Sequence, residues 1–283
     1  MAEIDYMAGV KQEYAPDLYA AREVHRAIQG WASLGPQQIA QYRQTGFLAI
    51  EGAFAAPQVA AAQAGLADLI MGRVPGFDNI QFEATAAARL DQLSLEEREL
   101  AVRKIFKFCA HEARLDALMH DDQLQAMVRA LLGDREPRCF QEMALLKPPG
   151  GREKPWHQDH AYFNLKVGEP VVGVWIALDD ATVANGCMHV IPGSHRQGPR
   201  VHFKRRDWQI CDTEVAKEQV IAVPLRAGGL MLFDGLLQHG TPANPTDQRR
   251  RALQYHYCPA DAQWVDQTAR LAVFGEEGKD VTC

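Results

Sequence analysis

Two places in the chain put a histidine two residues before an aspartate, His120/Asp122 and His157/Asp159. Such a pair can grip a divalent metal if both side chains face the same way. With ten histidines present the spacing alone carries little weight, so local structure must separate the two. His120 and Asp122 lie in LDALMHDDQLQAMVRALLG, where apolar residues recur at helical spacing. On a helix, residues i and i+2 project about 200° apart and cannot share an ion, so this pair reads as a solvated turn or cap. His157 and Asp159 lie in KPWHQDHAY, just after a Pro-Gly-Gly loop. In an extended segment i and i+2 share a face, and two ligands converge. The competing reading is a polar pair on a wet sheet face.

A metal held by one histidine and one carboxylate needs a third ligand, and His239 at the end of GLMLFDGLLQHGT is the best candidate. Three ligands on one face leave positions open for substrate and oxygen, as in non-haem Fe(II) oxygenases. Taken alone, His239 reads as a satisfied sheet histidine rather than as a ligand. Its downstream context adds weight. In RRRALQYHY, Leu253, Tyr255 and Tyr257 share one strand face, while Arg250, Ala252, Gln254 and His256 share the other. The aromatic face belongs under helices, which turns Arg250 toward a polar cavity. A cavity-facing arginine needs an anion, and a carboxylate co-substrate would pair with it bidentately. Arg249 and Arg251 read as charged residues at the start of the strand.

These residues must be positioned by elements of two kinds. The first ~40 residues are helix-prone, and a helical pattern opens at Pro36 and closes at Gly46. FLAIEGAF reads as a strand, PQVAAAQAGLADLIMG as a helix, and 94–132 as two or three helices, with Ser94 and Glu97 forming a capping box. From Cys139 the runs CFQEMALLK, VVGVWIAL, CMHVIPG, QVIAVPL, GLMLFD and ALQYHYC are short, β-rich and split by turn residues. This spacing suggests an antiparallel sandwich or barrel rather than βαβ units. The expected organisation is one domain over 1–283: an N-terminal arm (1–35), a mainly helical part (36–135) and a β core (139–260).

Composition narrows the function classes. Thirty Lys+Arg against 36 Asp+Glu give a net charge of −6, which disfavours a general nucleic-acid or anionic-membrane binder. No apolar run approaches the ~20 residues of a membrane span, and the N-terminus has no apolar signal-peptide core. Six scattered cysteines without a C-x-x-C read as reduced thiols, and the expected location is cytoplasmic. No dinucleotide, Walker A, nucleophile-elbow or H-E-x-x-H signature is present.

Taken together, the motifs resemble the phytanoyl-CoA dioxygenase family of Fe(II)/2-oxoglutarate-dependent oxygenases. The resemblance is carried by LGPQQIAQYRQTGFLAIEGAF, VRKIFKFCAHE, WHQDHAYF, VVGVWIALDDATVANGCMHVIPGSHRQG and QHGTPANPTDQRRRALQYHY. It covers most of the chain but not the first ~35 residues or roughly 199–218. The resemblance implies an α+β fold: a double-stranded β-helix (jelly-roll, cupin-like) core with the N-terminal helices packed on one sheet. It implies His157, Asp159 and His239 as iron ligands and Arg250 as the partner of the 2-oxoglutarate distal carboxylate. Thr241 stands where the family has a hydroxyl on that co-substrate, Lys104 looks like a helical lysine reaching it, and Met143 and Trp175 look like further members of the pocket. The implied cofactors are Fe(II), 2-oxoglutarate and O2. Asp159 matters to the outcome, because relatives that halogenate lack this carboxylate. The implied reaction is therefore hydroxylation of a small molecule, with succinate and CO2 released.

Two other readings stay open: a cupin-type metalloenzyme that does not use 2-oxoglutarate, and a catalytically silent binding protein on the same barrel. Arg250→Ala separates the first from the oxygenase. Gln141, His160 and Phe163 are candidates for the substrate side. The basic run Arg196, Arg200, Lys204, Arg205 and Arg206 is either a solvated loop or a greeting for an anionic substrate. Asp179, Asp180, Asn185 and Gly186 read as turn chemistry. Neither the substrate nor the oligomeric state follows from the sequence.

Overall fold

β15 (Arg250–Pro259) organises the molecule: all ten of its residues are buried, and it pairs with neighbours on both edges. The structure, a computed structural model, describes residues 14–82 and 89–275. The described strands before β15 are β1 (Glu23–Val24), β2 (Ile28–Gln29), β3 (Phe47–Glu51), β4 (Ile80–Phe82), β5 (Val102–Phe106), β6 (Pro137–Lys147), β7 (Lys154–His157), β8 (Val172–Ala177), β9 (Met188–Val190), β10 (Phe203–Lys204), β11 (Trp208–Gln209), β12 (Ile221–Val223), β13 (Leu230–Asp234) and β14 (His239–Thr241). The described helices are α1 (Pro36–Thr45), α2 (Ala56–Ile70), α3 (Leu95–Ala101), α4 (Ala113–Met119), α5 (Asp122–Leu131) and α6 (Gln267–Phe274). The fold is α+β.

A major sheet runs β2-β3-β13-β8-β15-β6-β5-β4, and a minor sheet runs β1-β12-β9-β14-β7. All pairings are antiparallel except β1 with β12 and β2 with β3. Helices cover one face of the major sheet. Leu253, Tyr255 and Tyr257 of β15, with Val174 and Ile176 of β8, share a buried cluster with Leu66 and Leu69 of α2 and Leu124 and Val128 of α5. α5 suits that place because Leu124, Met127, Val128 and Leu131 recur at i, i+3, i+4 and i+7, and Asp121 caps its first turn. The other face meets the minor sheet: Phe47, Trp175, Met231 and Phe233 join Met188, Val190, Ile221 and Val223 in a second cluster. Gly173 makes one close approach possible, since a Cβ there would lie 2.3 Å from the Phe233 ring. Phe233 in turn packs edge-on against His239, with ring centres 4.9 Å apart.

Several expectations need correcting. The segment before Pro36 contains strands, β1 and β2, each only two residues long and so too short to leave a periodic signal; residues 1–13 lie outside the described residues. The 94–132 stretch is interrupted by β5. Its capping box at Ser94 and Glu97 does start α3, but the β-branched Val102 then pairs with Phe82 of β4, and Ile105 with Ala144 of β6, instead of extending a helix. Strands from the N-terminal arm and the helical part thus complete the major sheet at its two edges. The cysteines are not uniformly reduced: Cys211 is disulfide-bonded, while Cys109, Cys139, Cys187 and Cys258 are free, and Cys283 lies outside the described residues. Among the described residues, no helix is long and apolar enough to cross a membrane.

Candidate metal centre and co-substrate pocket

Antiparallel pairing of β14 with β7 sets His239 opposite His157, with ring centres 4.2 Å apart. The chain leaves β7 at His157, stays extended at Gln158 and enters a 3-10 turn at Asp159. His157 Nε2 lies 3.2 Å and His239 Nε2 3.6 Å from Asp159 Oδ1. One ligand atom from each of the three buried side chains falls within 4.8 Å of the others. His157 Nδ1–H donates to Pro155 O at 2.7 Å and His239 Nδ1–H to Leu237 O at 2.9 Å. Those bonds fix the tautomers and leave both Nε2 lone pairs for a metal.

The other oxygen of Asp159, Oδ2, accepts from Gln254 Nε2 at 2.9 Å and His256 Nε2 at 2.8 Å. Burial alone would raise this carboxyl, but His239 and His256 outweigh it and hold Asp159 well below the usual carboxylate range. Burial, reinforced by His157, pushes His239 down to about 3. A neutral imidazole beside a carboxylate is the ligand form. Two imidazole nitrogens and one carboxylate oxygen, with room around them, fit a non-haem Fe(II) ion.

The triad opens into a cavity of about 520 Å³, also lined by Gln141, Met143, Phe163, Trp175, Thr241, Arg250 and Lys104. His160 is not among the lining residues. The turn that begins at Asp159 carries it away, so that its Nε2 lies 3.2 Å from Leu165 O and its ring stacks on Phe274. Lys104 reaches the cavity from β5, level with Leu145, and is not helical as expected.

One wall is a ladder between β6 and β15: Lys147 opposite Arg250, Leu145 opposite Ala252, Met143 opposite Gln254 and Gln141 opposite His256. Its first rung is cationic. Arg250 is buried, with its guanidinium carbon 5.2 Å above the Trp175 ring, and its Nε and Nη1 have no hydrogen-bond partner. Burial lowers it to about 10. An arginine held this way is costly until an anion meets it, so the residues fit the distal carboxylate of a dicarboxylate co-substrate. Lys147 escaped the sequence reading although it shares strand parity with Met143. It is buried, donates from Nζ to Thr241 Oγ1 at 2.7 Å and to Pro242 O, and is held well below the ordinary lysine value, first by burial and then by Arg250.

The basic run divides. Lys204 lines the cavity, whereas Arg206 is buried, bound to Glu153 and bidentate to Asp212 at 2.7 and 2.8 Å. Arg206 is therefore neither solvated nor available to a substrate. Arg251 likewise does more than flank a strand. It grips Asp179 at 2.9 and 2.7 Å and Glu99 at 2.9 Å, which gives Asp179 a partner beyond its turn.

Comparison with known proteins gives the same picture. The Phytanoyl-CoA dioxygenase family profile matches residues 42–252. Phytanoyl-CoA dioxygenase domain-containing protein 1 of Mus musculus is 27% identical over 285 positions, spanning 85% of this chain and 97% of its own. Ectoine dioxygenase of Sphingopyxis alaskensis is 28% identical over 243 positions, spanning 79% of this chain and 75% of its own. Among solved structures, EctD from S. alaskensis with 2-oxoglutarate and 5-hydroxyectoine matches with a TM-score of 0.61 at 25% identity, covering 88% of this chain and 82% of its own. The epimerase SnoN in complex with Fe3+, alpha ketoglutarate and nogalamycin RO gives a TM-score of 0.65 at 22% identity, covering 81% and 85%, and bears on the fold alone. The matched segment contains the ligand triad and Arg250, and the chain belongs to the phytanoyl-CoA dioxygenase family of Fe(II)/2-oxoglutarate-dependent oxygenases.

Proposed function

We propose that this dioxygenase hydroxylates a small-molecule metabolite, coupled to conversion of 2-oxoglutarate to succinate and CO2. The observation that carries the reading is the pairing, within one cavity, of the His157–Asp159–His239 cluster with a buried Arg250 whose Nε and Nη1 lack partners. Membership of the family and the 2-oxoglutarate in the EctD structure support it. In this reading the two main sheets are the halves of a double-stranded β-helix, and the chain forms one domain around it.

When bound, Fe(II) and 2-oxoglutarate supply the oxygen-activating chemistry. The protein contributes geometry. His157 and His239 offer Nε2, and Asp159 offers Oδ1 while Gln254 and His256 restrain Oδ2. Arg250 takes the distal carboxylate of the co-substrate, Thr241 and Lys147 flank it, and Met143, Trp175 and Lys104 close the pocket around it. Gln141 and Phe163 serve the substrate side. Arg103, Arg152 and Lys204 also line the cavity, which favours an anionic substrate.

The test is succinate release from 2-oxoglutarate with Fe(II), screened over small anionic metabolites with His157→Ala as control. Substrate-stimulated succinate is expected from wild type only. Equal turnover by both proteins would end the reading.

A further inference from the structure

The last rung of the β6–β15 ladder differs in kind from the first. Gln141 and His256 face each other across the strands, both line the cavity, and each has a buried polar atom without a hydrogen-bond partner: Gln141 Oε1 and His256 Nδ1. The co-substrate rung, Lys147 opposite Arg250, lies six residues along β15, about 20 Å away at strand rise. The distal rung carries neither lysine nor arginine. His256 is 1% exposed and boxed by aromatic rings, with Phe163 edge-on at 4.7 Å and Phe140 tilted at 6.1 Å. Its Nε2 has two neighbours, Asp159 Oδ2 at 2.8 Å and Gln254 Nε2 at 3.1 Å, and the shorter contact, to the carboxylate, assigns the ring proton. A carboxylate oxygen only accepts, so at 2.8 Å the proton on Nε2 belongs to Asp159 Oδ2. Nδ1 is then the ring atom left over, on the rung it shares with Gln141. Buried acceptors without partners are rare in folded proteins, and two on one rung call for a shared donor.

We propose that His256 is two-sided. Its Nε2–H positions the outer oxygen of the metal-binding Asp159, while its Nδ1, together with Gln141 Oε1, accepts a hydrogen bond from an O–H or N–H group of the substrate. The substrate class is therefore a small molecule carrying a hydroxyl or amino donor at the end that enters the site. Cationic residues of the same cavity, Arg152 and Lys204 among them, suit an anionic group at its other end. Docking of the donor at Nδ1 is felt at the metal ligand through a single imidazole ring. This inference rests on the oxygenase reading and extends it to the substrate.

Two substitutions separate the two sides of the ring. His256→Gln places an amide nitrogen near the Nε2 position and removes the Nδ1 acceptor. His256→Asn places an amide oxygen near the Nδ1 position and removes the donor to Asp159. Co(II) binding, followed by calorimetry without turnover, reads the first role. His256→Asn is expected to weaken it about 10- to 100-fold, as for lost outer-shell partners elsewhere, while His256→Gln and Gln141→Leu stay close to wild type. The second role is read by butyrate, 4-hydroxybutyrate and 4-aminobutyrate with their five- and six-carbon counterparts, through perturbation of the visible Fe(II)·2-oxoglutarate charge-transfer band. Wild type and His256→Asn are expected to prefer a hydroxy or amino member over its parent about tenfold, the worth of one net hydrogen bond. His256→Gln and Gln141→Leu are expected to lose that preference. Unchanged Co(II) affinity in His256→Asn, no preference in wild type, or a preference that survives in both His256→Gln and Gln141→Leu overturns the proposal. Failure of wild type to form the charge-transfer band at all would instead overturn the oxygenase reading beneath it.

Discussion

The two faces of β15 are equally buried and opposite in character. On the helix side, Leu253 sits in the apolar cluster, and Tyr255 and Tyr257 direct their hydroxyls to Leu115 O at 2.9 Å and Met119 O at 2.8 Å. Both hydroxyls that the strand sends to that side have partners. On the cavity side, Arg250 keeps Nε and Nη1 without partners, and His256 keeps Nδ1. Gln254, between them, is committed to a metal ligand. One strand thus carries a satisfied, stabilising face and an unsatisfied one that costs stability until a ligand arrives. Hydrophobic patterning decides which face is buried under helices; incomplete hydrogen bonding marks the face that binds.

Exchanging one residue on each face gives the largest contrast. Leu253→Ala should cost about 2–5 kcal/mol of stability by leaving a cavity, with the 2-oxoglutarate KM of the folded fraction unchanged. Arg250→Ala should do the reverse. It removes a buried cation without an anionic partner, so Tm should hold or rise, while the KM for 2-oxoglutarate rises about 100-fold through loss of a charge-assisted bidentate contact. Denaturant melts and succinate assays on the two variants check both halves. A large Tm loss in Arg250→Ala would show that its role is structural.

The contrast also explains what could be read from the sequence. The alternation in RRRALQYHY separates the faces without any structure, because strand parity is a local property. It put Arg250 and His256 on the correct side, and the His157–Asp159 spacing with His239 produced the triad. Partners across the fold were not legible. That His256 grips Asp159 depends on how the two sheets pack, and that Arg251 grips Asp179 on how β8 and β15 align. Lys147 could have been found, since Gln141, Met143, Leu145 and Lys147 share one parity on β6 and Met143 was already assigned to the pocket. His160 failed for a local reason: strand parity stops where the 3-10 turn begins at Asp159. Lys104 was placed on a helix because LEERELA is strongly helical and VRKIF follows it directly.

A smaller test keeps to the satisfied face. Tyr255→Phe deletes the hydroxyl that donates to Leu115 O and leaves the ring in place, so a loss of about 1 kcal/mol is expected, typical of one buried hydrogen bond. Co-substrate affinity should not move. A shift in 2-oxoglutarate affinity would mean that the two faces communicate through the strand, and that treating them separately is wrong.

The smallest expected effect lies where the unsatisfied face begins. Burial, then the neighbouring Arg250, holds Lys147 well below the ordinary lysine value, which disfavours the ammonium form before co-substrate binds. A dianion beside Arg250 reverses the balance, because it stabilises the ammonium form and raises the Lys147 pKa. Binding therefore takes up a proton at any pH between the two values. By linkage, 2-oxoglutarate affinity falls as pH rises through that window, by no more than about tenfold per pH unit for a single proton. Calorimetry in buffers of different ionisation enthalpy measures the uptake directly. Lys147→Met should abolish it and flatten the pH dependence while leaving Arg250 to bind the carboxylate. The pH slope needs a buried amine that titrates, so proton uptake that persists in Lys147→Met would assign it to another group in the pocket.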